Sequence, residues 1–175
     1  MVLYRRQRLA GGSYFFTHVL QDRGTGLLID HVDALRTAYA SVRHAWPFET
    51  VAVVILPDHL HCVWTLPEGD DDYPGRWRLI KSRFSSALRR RGVDTGRRGP
   101  DQRALWQRRY WEHTVRDQCD LRAHVDYIHI NPLKHGLVEQ VANWPYSSFH
   151  RYLARGELPP DWGGHVSVKP GRYGE

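Results

Sequence analysis

The chain has 175 residues, of which 41% are hydrophobic and 25% are charged, a composition typical of a soluble globular protein with one substantial core. Its two cysteines have no Cys-x-x-Cys spacing, which argues against both a disulfide framework and a cysteine-based zinc site. The longest aliphatic run, residues 51–56, is too short to span a membrane, so we expect a cytoplasmic protein.

The first half of the chain alternates strand and helix patterns. Residues 13–21, rich in aromatic and β-branched side chains, predict a first strand, and residues 33–46 carry apolar side chains at helical spacing. The nearly continuous apolar run 49–56 predicts a central strand buried on both faces. Turn chemistry at 57–58 then leads into a third strand, 59–66, so the two strands should form a hairpin.

The second half continues this pattern. Residues 75–91 predict an amphipathic helix with a basic outer face, followed by a Gly- and Arg-rich connection over 92–103 and a fourth strand over 111–115. Asp120 is predicted to be the N-cap of a last helix. Residues from 143 onward contain several prolines and predict an irregular tail.

The order β-α-β-β-α-β-α predicts an α+β protein built on a ferredoxin-like, split βαβ antiparallel sheet with an added C-terminal helix. We expect one domain over residues 1–142, with residues 143–175 forming a tail packed on or near it.

Positive charge is concentrated in one part of the chain. Between Arg76 and Arg109 there are twelve basic and two acidic residues, and eleven of the twelve are arginines. This concentration of positive charge favours binding to a polyanion. Arginine makes bidentate hydrogen bonds to phosphate that lysine cannot make. A solvated helix face followed by a basic loop would also explain the run.

Two histidines mark the candidate site. His59 and His61 alternate along the predicted third strand, so both imidazoles should point to one face and could share a divalent cation. Tyr127 and Asn131 lie one turn apart on the predicted last helix, where they could supply a reacting phenol and a third ligand. Two solvent-facing histidines and a tyrosine packed in the core would explain the same residues.

The role of Asn131 stays open at this point. Because it precedes a proline, Asn131 could instead cap a new short helix that ends at Gly136. His124, one turn before Tyr127, is a substitute candidate for the third ligand.

Several stretches of the chain resemble one family. Residues 56–64, LPDHLHCVW, carry the His-hydrophobic-His motif, and residues 124–138, HVDYIHINPLKHGLV, carry the tyrosine. Together with residues 4–6, residues 11–17 and the WPYSSF run at 144–149, they resemble the REP-associated tyrosine transposases, relatives of the HUH single-tyrosine transposases. The similarity extends over almost the whole chain.

The resemblance implies a nucleoid-associated bacterial enzyme that cleaves and rejoins single-stranded DNA beside a REP-like hairpin through a 5′-phosphotyrosine. It implies Tyr127 as nucleophile, and Mg²⁺ or Mn²⁺ held by His59, His61 and Asn131. Such a protein would bind single-stranded DNA and hairpins, as a monomer, with a homodimer left open. The residues expected to contact DNA are Tyr4, Arg5, Arg6, Arg76, Lys81, Arg83, Arg108 and Arg109.

Two other functions fit parts of the sequence. A non-catalytic protein that binds DNA or RNA hairpins would use the basic run but would leave the two histidines unexplained. A zinc hydrolase could use His59, His61 and a third histidine such as His113, but would offer no role for Tyr127.

Overall fold

The computed structural model describes residues 8–95, 105–163 and 173–174. A four-stranded antiparallel sheet with the order β2-β3-β1-β4 forms its centre. The strands are β1 (Ser13–Val19), β2 (Glu49–Ile55), β3 (His59–Thr65) and β4 (Trp111–Thr114). This order is that of a split βαβ unit, with β3 inserted between the parallel strands β1 and β2, and it confirms the predicted α+β, ferredoxin-like fold.

Helices lie on both faces of the sheet. The helices are α1 (Leu27–Asp30), α2 (Val32–Ala45), α3 (Tyr73–Arg90), α4 (Gln118–Lys134) and α5 (Phe149–Ala154). The pair α2 and α3 covers one face with a large aromatic core, in which Trp64 of β3 stacks on Trp77 of α3 at 4.3 Å between ring centroids. The opposite face carries α4, so the sheet separates the main core from the face where the site lies.

The strand β2 lies at one end of the strand order, which corrects its prediction as a central strand. Its apolar pattern has another explanation, because the chain at residues 146–148 runs beside it. The N–H of Ile55 donates to the carbonyl of Tyr146 at 2.9 Å, and the N–H of Ser148 donates to the carbonyl of Val53 at 2.8 Å. The outer side of β2 is therefore covered by a distant part of the chain.

The helix α4 begins earlier than its prediction. Its N-cap is Asp117, whose carboxylate accepts from the N–H of Asp120 at 2.8 Å, so Asp120 lies in the first turn. The helix continues through Asn131 and Pro132, which corrects the alternative that Asn131 caps a new short helix. Its end is the predicted one: Gly136 has a φ of 66°, a left-handed conformation that glycine adopts without strain.

The C-terminal part is more ordered than predicted. A 3-10 turn (Val141–Asn143) and α5 follow α4, and Phe149 is buried in a small cluster with Ile130 of α4 and Val141. The division of the chain at residues 142 and 143 stays a prediction. Within the described ranges, no helix is long and apolar enough to cross a membrane.

Candidate active site

His59 and His61 lie side by side on β3, on the face that α4 covers. Both side chains are buried, and their ring centroids are 5.0 Å apart. Leu60 and Cys62, between and after them, belong to the core on the opposite face. The alternation predicted from the sequence is therefore confirmed.

A hydroxyl group fixes the orientation of His61. Its Nδ1 lies 2.8 Å from Oγ1 of Thr17 on the neighbouring β1, and the Thr17 hydroxyl donates to the carbonyl of Tyr173 at 2.6 Å. A hydroxyl has one proton, so Thr17 can only accept from His61. Nδ1 of His61 must then carry a proton, so in the neutral imidazole Nε2 is the nitrogen with the lone pair.

A carboxylate has the same effect on His59. Its Nδ1 lies 2.7 Å from Oδ1 of Asp58, whose other oxygen accepts from Nε of Arg23 at 2.7 Å. Burial would raise the pKa of Asp58, but the hydrogen bonds from His59 and Arg23 outweigh it and hold that pKa below its usual range. An ionised Asp58 accepts the Nδ1 proton, so in the neutral imidazole Nε2 of His59 is the nitrogen that carries the lone pair.

Tyr127 of α4 meets this pair of imidazoles. Its ring centroid lies 5.2 Å from that of His61, and the side chain is 2% exposed. The ring of Tyr173 stacks on it at 3.6 Å. The ammonium group of Lys134, two turns further along α4, donates to the phenol oxygen at 3.2 Å. The structure thus brings together the histidine pair and the tyrosine that the sequence singled out.

Asn131 is fully buried one turn after Tyr127 on the same helix. The other candidate ligands lie elsewhere. His124 donates from Nδ1 to the carbonyl of Asp120 at 2.7 Å, and His113 is on β4, which β1 separates from β3. His113 and His124 therefore form a separate group with Asp120, which argues against His124 as the substitute ligand and against the zinc hydrolase built on His113.

Two neighbours of the site were missed by the sequence reasoning. Lys134 contacts the phenol of Tyr127, and His135 lies with its ring centroid 5.1 Å from that of His59. Positions 127, 131, 134 and 135 share one face of an uninterrupted helix, so helical spacing counted forward from Tyr127 would have found both.

The predicted DNA contacts divide into different environments. Arg76 is 2% exposed, and its guanidinium donates to both carboxylate oxygens of Asp70, at 3.1 and 2.6 Å, and to the carbonyl of Pro47. This corrects its prediction as a phosphate contact, because its donors are used within the protein. The half-buried Lys81 has its ammonium over the rings of Trp106 and Tyr110, at 5.3 Å from each centroid.

Other arginines of the basic run are exposed to solvent. Arg83, Arg108 and Arg109 are exposed, as are Arg89 and Arg90 at the end of α3. Three further predicted contacts lie outside the described residues: Tyr4, Arg5 and Arg6.

The chain is similar to known proteins over almost its whole length, although no family model matches it. It is 48% identical to the REP-associated tyrosine transposase of Escherichia coli K12, over 94% of this chain and 92% of that protein. It is 48% identical to a putative REP-associated tyrosine transposase of Haemophilus influenzae, over 95% and 96% of the two chains. A solved REP-associated tyrosine transposase bound to a REP hairpin matches it with a TM-score of 0.87 and 47% identity, over 100% and 98% of the chains.

Proposed function

Since the chain belongs to the REP-associated tyrosine transposases, and so is a transposase, we propose that it cleaves and rejoins single-stranded DNA beside a hairpin through Tyr127. The observation that carries this proposal is the contact between the Tyr127 ring and the imidazole of His61, at 5.2 Å between centroids. A phenol in the core would need no such neighbour, whereas a nucleophile acting on a phosphate needs a cation site beside it.

The chemistry of the site fits Mg²⁺ or Mn²⁺ held by His59, His61 and Asn131. Both imidazoles donate from Nδ1 to an outer partner, the arrangement that usually orients metal-ligating histidines. Asn131, buried one turn after Tyr127, would add an amide oxygen. Of the two ions, Mn²⁺ accepts imidazole nitrogens more readily than the harder Mg²⁺. When bound, the ion would polarise an oxygen of the scissile phosphate and offset charge in the transition state.

The phenol oxygen of Tyr127 attacks the phosphorus in line as the bond to the 3′ oxygen breaks. The products are a 5′-phosphotyrosine on the strand downstream of the break and a free 3′-hydroxyl on the strand upstream of it, with the phenol proton released during the attack. In rejoining, a 3′-hydroxyl attacks the same phosphorus and Tyr127 leaves as a phenolate. Bond energy is kept in the covalent adduct, so no nucleotide cofactor is consumed.

Lys134 is a positioning residue for this step. Its ammonium donates to the phenol oxygen at 3.2 Å, and a positive charge at that distance favours the ionised form of a phenol. It therefore assists both the attack, in which the oxygen loses its proton, and the rejoining, in which a phenolate departs.

A REP-type hairpin is the proposed partner, with the protein acting as a monomer. Exposed arginines can neutralise its phosphates. Each phosphate contact should steepen the slope of the logarithm of the binding constant against the logarithm of the salt concentration by roughly 0.7 to 0.9. From the resemblance we keep Tyr4, Arg5 and Arg6 as contacts to the single strand beside the hairpin. The hairpin contacts proposed from the described surface are Lys81, Arg83, Arg108 and Arg109.

The test uses an end-labelled single-stranded hairpin substrate, incubated with the full chain and Mn²⁺ or Mg²⁺ and run on a denaturing protein gel. We expect a covalent protein–DNA band that chelation abolishes and that Tyr127→Phe removes. Tyr152→Phe is the matched control, because it removes a phenol hydroxyl from a half-buried tyrosine that packs against the same cluster as Tyr127, and it should keep the band. A native gel shift without any covalent band in the unmodified chain would favour a hairpin-binding protein and refute the proposal.

A further inference from the structure

A second group of metal-ligating side chains lies near the N-terminal end of α4. It joins His113 of β4 to Asp120 and His124 of α4, and one ligand atom from each residue lies within 4.8 Å of the others. Phe15 contacts the ring of His124 at 4.8 Å and that of His61 at 5.7 Å between centroids. The group is therefore a neighbour of the proposed catalytic site with no ligand in common.

The carboxylate of Asp120 is the centre of this group. Its side chain is 3% exposed, and Oδ2 accepts from Nε2 of His113 at 2.7 Å and from the N–H of Arg116 at 3.0 Å. Its other oxygen, Oδ1, is buried without a hydrogen bond. A buried carboxylate oxygen that accepts no hydrogen bond destabilises the fold, and a bound cation would remove that cost.

The protonation of the group suits a cation. Burial would raise the pKa of Asp120, but the hydrogen bonds from His113 and Arg116 outweigh it and hold that pKa below its usual range. The carboxylate is thus ionised. Nδ1 of His124 lies 3.4 Å from Oδ1, and its ring stacks on that of His113 with 4.7 Å between centroids and 17° between planes.

The placement of the three residues also suits a metal. Asp120 and His124 are four residues apart, hence on one face of α4, and His113 approaches from the sheet. The His113 side chain is 29% exposed, which gives an ion a path from solvent. The positive charge of Arg116 lies beside the carboxylate, with Nε 3.3 Å from Oδ2, but this side chain is 65% exposed and can turn outward.

We propose that His113, Asp120 and His124 bind a divalent ion of the zinc type, at a site separate from His59 and His61. Two imidazoles and a carboxylate are ligands that Zn²⁺ and Co²⁺ accept, whereas Mg²⁺ prefers a set made of oxygens. Binding replaces the hydrogen bond between His113 and Asp120, with His113 in the tautomer that carries its ring proton on Nδ1 and offers the Nε2 lone pair to the ion. The ion ties β4 to the first turns of the helix that carries Tyr127, and so stabilises the folded protein.

The test isolates this site by first removing the other one. The full-length double variant His59→Ala/His61→Ala is titrated with Co²⁺ alone, and binding is followed by visible absorption and by the shift of the thermal midpoint. We expect one equivalent of Co²⁺ to bind, to raise the midpoint, to be displaced by Zn²⁺ and to resist millimolar Mg²⁺. DNA cleavage is not measured, so this result does not depend on the proposed function.

Variants of the proposed ligands decide the location. Added to the double variant, either His113→Gln or Asp120→Asn should weaken Co²⁺ binding at least tenfold, and far-ultraviolet circular dichroism reports whether each variant folds. His44→Gln, an exposed histidine on α2, is the matched control and should bind as before. Absence of Co²⁺ binding in the double variant, or binding that folded His113→Gln retains in full, would overturn the proposal.

Discussion

Acid should weaken the fold through one buried imidazole, His129 of α4. The ring is fully buried, and its Nε2 forms a 2.9 Å hydrogen bond with Oγ of Ser148. It packs at 4.7 Å from the ring of Tyr152, and Phe149 also contacts it. Burial, assisted by the nearby charge of Arg151, lowers the pKa of His129 to about 3.

The size of the effect follows from this pKa. An unfolded chain binds a proton at His129 as the pH falls below the ordinary value of 6.5, whereas the folded chain binds it only near pH 3. The unfolded state therefore holds more protons throughout this window, and the free energy of unfolding decreases as the pH falls. Each pH unit well below 6.5 costs about 1.4 kcal/mol, so the loss between pH 7.5 and 4.5 is about 3 kcal/mol. That is a large share of the roughly 5–15 kcal/mol typical of a domain.

Urea unfolding followed by tryptophan fluorescence at pH 7.5 and 4.5 would measure this loss. His129→Gln keeps a hydrogen-bonding partner for Ser148 but does not titrate, so it should lose about 3 kcal/mol less than the unmodified chain over the same pH interval. Carboxylates that protonate near pH 4.5 contribute to both proteins and cancel in the comparison. His44→Gln, an exposed histidine, should behave like the unmodified chain. Equal pH sensitivity in His129→Gln and the unmodified chain would refute the reasoning.

Three further predictions concern the site and its surface. Thr17→Val removes the acceptor that orients His61 and should weaken Mn²⁺ binding about 10- to 100-fold in a cleavage titration, while Thr17→Ser should not. Lys134→Met should slow cleavage about tenfold and shift the pH–rate profile toward higher pH, with hairpin affinity unchanged. A profile at the same pH would exclude the proposed effect of Lys134 on the ionisation of the phenol. Arg76→Gln should destabilise the fold by about 2 kcal/mol in urea unfolding without weakening hairpin binding. Arg83→Gln should weaken hairpin binding without lowering the free energy of unfolding.

Strand periodicity predicted the site-bearing face well, because it depends on neighbouring residues alone. The alternation at His59 and His61 needs no knowledge of the rest of the fold. The position of β2 in the sheet cannot be predicted from neighbouring residues, since the segment that covers its outer side lies about ninety residues further along the chain. An apolar run reports burial without reporting which element provides it.

Helix α4 shows how a sound local rule can hide a functional residue. The residue before a proline is disfavoured in a helix, so the sequence left open whether Asn131 continued the last helix or capped a new short one. Packing of Ile130 and the burial of Asn131 override that preference here, and the proline costs one backbone hydrogen bond close to the helix end. Lys134 and His135 were missed for this reason.

Arg76 was misassigned for a reason that the sequence could have corrected. Tyr73, Trp77 and Ile80 define the buried face of α3, and position 76 lies on that same face. Counting arginines along the run ignored this periodicity. The acid that neutralises Arg76, Asp70, is six residues earlier in a loop, and its approach to the helix could not be read from the sequence.

The backbone pairing between residues 146–148 and β2 makes the last thirty residues hard to dispense with. A chain shortened after residue 142 would present the N–H of Val53 and the N–H of Ile55 to solvent along a strand already rich in valine. Such an open edge is a template on which a second copy can add its own strand. A truncated version made to isolate the sheet would therefore join edge to edge and lose solubility, even though Tyr127 and the proposed metal ligands would all still be present.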